Sequence, residues 1–484
     1  MFLDELVLVI YIFSLSVLLL FGCHGFVMLY YRNKYAQNLP TESDVIEDYK
    51  KVTIQLPLYN ELYVADRLVN AVCEIDYPKE NLEIQVLDDS TDETVDIVAR
   101  IVAEKQKEGF DIKHVRRTNR KGYKAGALKE GLEYATGDYI AIFDADFIPK
   151  TDFLKKTLRY FKDDQVGMVQ TRWEHLNEDF SILTKIQALA LDGHFVIEQT
   201  VRNRAGFFIN FNGTGGVWKK SAIEDAGNWH DDTITEDLDL SYRAQLKGWK
   251  FIFLRDFTTP AELPSEINAL KAQQFRWTKG AIETAKKLLP MVWSSKISLR
   301  IKMQSTFHLT NNIVFPFILL AGILNVPLIF IKNAGPYDNF FNFMSIFVLA
   351  FISSFLFYLY GQKEIYPNWR KKIVLFPVFM AGSMGLAVNN SRAVVEGLMN
   401  KKSEFVRTPK YKVVNKNDSF SDNKYIAKKV EKSAFVELLL AIYCSIGVIA
   451  SIYFGEISAL PFNLMFFFGF ASISFMSFKQ SSIK

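Results

Sequence analysis

Residues 140–146 read IAIFDAD, an apolar run of strand character ending in two carboxylates, Asp144 and Asp146, one small residue apart. A short β-branched and aromatic run fits a buried strand. The acid pair at its end has two readings. It is an ordinary turn or helix cap, or it presents hard oxygens to Mg²⁺ or Mn²⁺ beside a phosphate-bearing substrate. The surrounding sequence has to decide between them.

Outward from this stretch, short runs at Val52–Leu56, Leu82–Leu87, Tyr139–Phe143, Val166–Gln170 and Lys250–Leu254 alternate with longer amphipathic stretches such as Thr91–Glu108 and Ala125–Ala135. That alternation is the βαβ signature of an α/β domain with a mostly parallel sheet. Such sheets bind ligands at the carboxyl ends of their strands. Asp88 and Asp89 end one run as Asp144 and Asp146 end another, so both acid groups are expected to converge on one crevice. Ser90 with Glu93 reads as a capping box for the helix that follows.

The rest of the chain is of another kind. With 484 residues, 49% hydrophobic content and 42 phenylalanines it is too long and too apolar for one water-soluble domain. A net charge of +4 gives no ground for a nucleic-acid partner. The three cysteines, Cys23, Cys73 and Cys444, form neither a disulfide framework nor a CxxC metal pattern. Leu6–Tyr31 is too long for a signal-peptide core and is followed by Arg32 and Lys34, so it reads as a retained spanning helix. Ile313–Ile331, Phe343–Tyr360, Phe435–Tyr453 and Leu460–Phe478 are also long enough to cross the hydrocarbon layer. Ile373–Val388 runs into Asn389, Arg392 and Glu396, and is expected to enter the interface and return. Basic residues gather at 363–372 and 401–432, which places both segments on the cytoplasmic side and gives five spans with Met1 outside and Lys484 inside. The expected organisation is a spanning helix at 1–35, a catalytic α/β domain at 50–290, interface and spanning helices at 291–399, a basic segment at 400–433 and two spans at 434–484.

Three further constellations bear on the acid pair. In TITEDLDL, Glu236, Asp237 and Asp239 open a helix, where they either compensate its dipole or perform acid–base chemistry. QQFRW sets Gln273, Arg276 and Trp277 on about one helical turn, suited to a diphosphate and a sugar ring or to an interface anchor. NRKGYKAGALKEG is a basic glycine-containing loop entering a helix N-terminus, fit for an anion or for solvent. GTGGVWKKS, in contrast, has Trp218 where a phosphate loop needs glycine, and His175 and His194 lack partners at metal-ligand spacing.

LPLYNE, IQVLDDSTD, NRKGYKAGALKEG, AIFDADF, FNGTGGVWKKSAI, TEDLDL and QQFRW, in that order, resemble the processive, inverting family 2 glycosyltransferases, above all the plant cellulose-synthase-like mannan and glucan synthases. The resemblance implies a GT-A fold, a cytosolic active site and a channel through the membrane. It implies Asp144 and Asp146 as the metal- and diphosphate-binding pair and Asp237 as the general base. Tyr59, Glu61, Asp88, Asp89 and Lys124 would hold the nucleotide. Gln273, Arg276 and Trp277 match the acceptor-and-diphosphate motif, and Gly213 with Thr214 falls beside the acceptor. FVRTPK, Phe405–Lys410, resembles the family's gating loop, with Thr408 and Lys410 in matching places and Arg407 where valine is usual. The implied cofactor is Mg²⁺ or Mn²⁺, the donor a nucleotide-sugar such as UDP-glucose or GDP-mannose, and the location the plasma membrane. A glycan acceptor implies polymer synthesis and export; a membrane-lipid acceptor implies single addition. A receptor or transporter with a degenerate nucleotide-sugar module is the non-enzyme alternative.

Overall fold

The computed structural model describes residues 2–42, 49–402, 407–418, 423–426 and 430–481. Seven strands form one sheet: β1 (Val52–Leu58), β2 (Leu82–Asp88), β3 (Asp111–Arg116), β4 (Tyr139–Ile142), β5 (Val166–His175), β6 (Gly216–Lys219) and β7 (Lys250–Ala261), in the order β3-β2-β1-β4-β6-β5-β7. All pairings are parallel except those of β6 with β4 and with β5. This is the mixed, mostly parallel sheet of a GT-A domain. The first two strands are buried almost throughout, as helices on both faces require. One core face joins Ile54, Val86 and Phe143 with Phe153, and the opposite face joins Ile140, Ile142 and Trp218 with Trp229.

Four elements differ from the sequence reading. The helix after β2 begins at Thr94, without a side-chain cap; Ser90 accepts a hydrogen bond from Asn60 N instead. Strand β7 runs on to Ala261, and Pro260 is tolerated there because β7 is an edge strand. Strands β3 and β6 are additional. The first is a charged edge strand, and the second is the very Gly216–Lys219 piece that follows the glycine turn.

Among the described residues, five helices are long and apolar enough to cross a membrane: Phe2–Lys34, Leu299–Ala334, Asn339–Ile365, Lys432–Tyr453 and Leu460–Ser481. The chain is built as a multi-pass membrane protein. Trp369–Gly385 and Ala387–Leu398 meet at a 48° bend, and counting them as one span makes six. The second half of this pair lies along Ile267–Ser294, where Asn389 Nδ2 donates to Lys271 O at 2.9 Å. The spans are fastened to the catalytic domain through Glu364, which pairs with Arg32 and Arg255. Between the spans lies a cavity of about 650 Å³. Tyr11, Asn325 and Lys332 line one part of it, and His24, Asn311 and Glu198 another. Tyr11 and His24 sit on one helix about 20 Å apart at 1.5 Å rise per residue.

Candidate active site

The carboxyl ends of β1 and β4 open into a cleft that is closed from the other side by Ile267–Ser294 and by residues 407–410. Asp144 and Asp146 follow β4 directly. Lys124 Nζ lies 2.5 Å from Asp144 Oδ1 and also donates to Gly213 O at 2.9 Å, while Thr214 Oγ1 accepts from Asp144 N at 2.8 Å. Lys124 comes from the first turn of Tyr123–Tyr134, whose entry requires the left-handed Gly122 (φ 71°). Asp146 is gripped by Lys410, 2.5 Å away. Each acid of the pair thus faces the cleft with an ammonium beside it.

Asp237 stands opposite, in the first turn of Glu236–Leu246. Burial, followed by the charge of neighbouring Glu236, raises its carboxyl above the usual range. Such a shift fits a proton acceptor working near neutral pH. Gly213 (φ 82°) keeps the space before it open. A Cβ there would lie 3.0 Å from Asp237 Oδ2 and 3.4 Å from Lys124 Nζ. Gln273, Arg276 and Trp277 all line the cleft, and Arg276 donates to Thr408 Oγ1 at 2.9 Å. Tyr59, Glu61 and Asp89 line its far end. Burial pushes the Glu61 carboxyl up to about 8, against the opposing charges of Arg407 and Lys410.

Two anticipated residues fall elsewhere. Asp88 is 1% exposed and turned beneath the loop, where its carboxylate takes Ser90 N at 2.8 Å and lies 2.8 Å from His114 Nε2. It shapes the turn that presents Asp89. Thr214 is also buried, and acts on the cleft through Asp144 N. Of the expected gating loop, Phe405 and Val406 lie outside the described residues.

The cleft also holds residues to which the sequence reading gave no role. Arg120 stacks 3.3 Å from the centre of the Tyr59 ring, and Trp173 lines the wall. Arg117 Nε reaches Asp89 Oδ1 at 2.9 Å and fixes that carboxylate. Arg407 lies 3.3 Å from Glu61 and 4.0 Å from the centre of the Tyr425 ring. The basic loop, Asn119–Gly131, gave a signal for Arg120, as did the valine departure for Arg407, whereas Arg117 lies before that loop. Trp173 gave none.

The acids of TEDLDL divide by helix face. Asp239 is fully buried between Arg243 (2.7 Å) and Lys287 (2.9 Å). It clusters with His230 and Asp232 as metal ligands would, but the Lys287 ammonium already fills the group. Breaking such a buried ion pair costs about 3–5 kcal/mol. Asp239→Asn is therefore expected to lower the thermal midpoint of the detergent-purified protein, in contrast to Asp237→Asn, which leaves no buried pair broken.

Residues 50–280 match the family described as "Glycosyltransferase like family 2". The chain is 41% identical over 278 residues to glucomannan 4-beta-mannosyltransferase 1 of Oryza sativa subsp. japonica, covering 56% of this chain and 53% of that protein. It is 43% identical over 253 residues to glucomannan 4-beta-mannosyltransferase 9 of Arabidopsis thaliana, covering 51% and 48% respectively. The chain thus spans about half the length of these curated relatives. Its fold is also that of mannosyltransferase PcManGT from Pyrobaculum calidifontis, solved with GDP-Man and Mn²⁺, at a TM-score of 0.56 and 20% identity over 80% of this chain and all of that one. With this sheet and these motifs, residues 50–280 are a family 2 glycosyltransferase domain of the cellulose-synthase-like kind.

Proposed function

We propose that the protein is a membrane-embedded inverting enzyme that transfers a hexose from a nucleotide-sugar to a growing β-linked polysaccharide and passes the product across the membrane. The observation that carries this reading is the meeting of Asp237, the Asp144–Asp146 pair and Arg276 around one cleft. Mannose from GDP-mannose is the favoured donor, because the relatives are named mannosyltransferases and the fold neighbour was solved with GDP-Man.

In the proposed reaction an acceptor hydroxyl attacks the anomeric carbon. Its proton passes to Asp237, and the bond to the nucleotide diphosphate breaks with the electron pair leaving on the phosphate oxygen. Attack from the opposite face inverts the anomeric centre, so no covalent nucleophile is needed. Arg276, Lys124 and Lys410 lie where the leaving diphosphate gathers charge. Trp277 offers a ring face to the acceptor sugar, and Arg120 over Tyr59 offers a stack to the base. Asp144 and Asp146 suit a hard divalent cation. Both are carboxylates, and their side chains open on the same cleft, 34% and 9% exposed. Bound there, Mg²⁺ or Mn²⁺ would neutralise the diphosphate.

The test is incubation of the purified protein in lipid with radiolabelled GDP-mannose and UDP-glucose, with the product sized. GDP-mannose with a divalent ion should give polymer, and EDTA should abolish it. A single sugar added to lipid would replace the polymer reading by the lipid-acceptor one. Undiminished synthesis in EDTA would remove the metal. The catalytic domain should face the cytoplasm with five spans, so Lys416→Cys should react with an impermeant thiol reagent only in permeabilised cells.

A further inference from the structure

The cleft and the membrane cavity are separate spaces with one polar wall between them. Asn212 lines the cleft, and its amide donates to His194 Nε2 at 3.2 Å. His194 Nδ1 lies 3.1 Å from Glu198 Oε2, and Glu198 lines the membrane cavity. Both side chains are partly accessible, at 26% and 19%. They stand on Gly193–Gln199, a π-helical turn inserted between two α-helical segments. Wide turns of this kind recur at functional sites, where the extra residue re-aims its neighbours. The turn packs directly on the Asn339–Ile365 span, and a Cβ on Gly193 would lie 2.4 Å from the Tyr358 ring.

Glu198 is held in place from behind. The fully buried Arg202 donates to it through Nε at 3.3 Å and to Gln304 O through Nη2 at 2.8 Å, and Gln304 Oε1 meets His24 at 3.0 Å. A second link crosses the same wall, because Thr278, next to Trp277, lies 3.4 Å from Asn312, next to cavity-lining Asn311.

We infer that His194 and Glu198 form an acceptor-positioning site at this wall, binding the hydroxyls of the glycan chain as it passes from the cleft into the membrane cavity. The inference rests on the polymer reading above. A carboxylate and an imidazole, both held by fixed partners and bordered by aromatic rings, suit sugar hydroxyls. The carboxylate accepts charge-assisted hydrogen bonds, and the rings of Phe357 and Tyr358 supply apolar faces. Neither residue touches the reacting atoms, so the site acts on the chain already made.

The experiment compares wild type, Glu198→Gln and His194→Gln in lipid, measuring donor KM, nucleotide release and product length. Glu198→Gln deprives Arg202 of its carboxylate, whereas His194→Gln keeps that pair intact. Donor KM and nucleotide release per enzyme should stay within about twofold, while chain length falls about tenfold, the loss of one charge-assisted hydrogen bond to the acceptor. Unchanged chain length in both folded variants would overturn the site, and so would a rise in donor KM in step with the shortening. A wild-type enzyme that adds only one sugar would instead overturn the polymer reading on which the inference stands.

Discussion

Asp237→Asn is expected to cut transfer by about 10²–10⁴-fold, the usual contribution of a general base, while nucleotide-sugar binding and the thermal midpoint remain close to wild type. Titration of nucleotide diphosphate separates the two effects. The cations that would hold the diphosphate, Arg276, Lys124 and Lys410, are untouched by the change. Only the deprotonated carboxylate accepts a proton, and burial with Glu236 beside it raises the Asp237 carboxyl. Thus kcat/KM should fall on the acid side with a midpoint above the ordinary carboxylate range, and the residual rate of Asp237→Asn should lack that limb. Near-normal turnover by the folded variant would pass the role to Glu236, which lines the same cleft.

Arg276→Ala should be the second large loss, about 10²–10³-fold in kcat, as when one preorganised charge stabiliser is removed from a water-poor site. The guanidinium is half-buried in the cleft wall, and it is joined to Thr408 by a 2.9 Å hydrogen bond. Arg276→Lys keeps the charge but not the planar fork. It should recover only part of the rate, with the remaining deficit shared by Thr408→Val. Full activity in Arg276→Ala would pass the role to the other cations of the cleft, Lys124 and Lys410 first.

The residues that could be read from the sequence were those whose chemistry is local. Asp144, Asp146 and Lys124 each stand at the end of a strand or the start of a helix, where backbone geometry alone aims the side chain. Asp88 and Asp89 mark the limit of that logic, because adjacent residues point to opposite sides and the choice depends on His114 and Arg117 in another strand and loop. Strand β6 escaped because its antiparallel pairing depends on the β4 and β5 edges. Trp173 is brought to the cleft by tertiary packing alone. The membrane helices were legible because length and apolarity decide them. The 369–398 pair stayed harder, since its bend at Leu386 breaks the run.

The grip of Lys410 on Asp146 spans 264 positions of sequence, and that of Thr408 on Arg276 spans 132. Closing loops of such length is entropically unfavourable and slow to find. The cleft therefore completes itself only after more than four-fifths of the chain, including three of the five spans, has been synthesised and docked. Of the five cationic side chains that line it among the described residues, Arg407 and Lys410 arrive in this last step. A fragment cut at residue 290 would keep the sheet and the acids yet carry an excess of unbalanced negative charge where the diphosphate must sit. Catalytic competence is in this sense a property of the assembled chain, acquired together with its place in the bilayer.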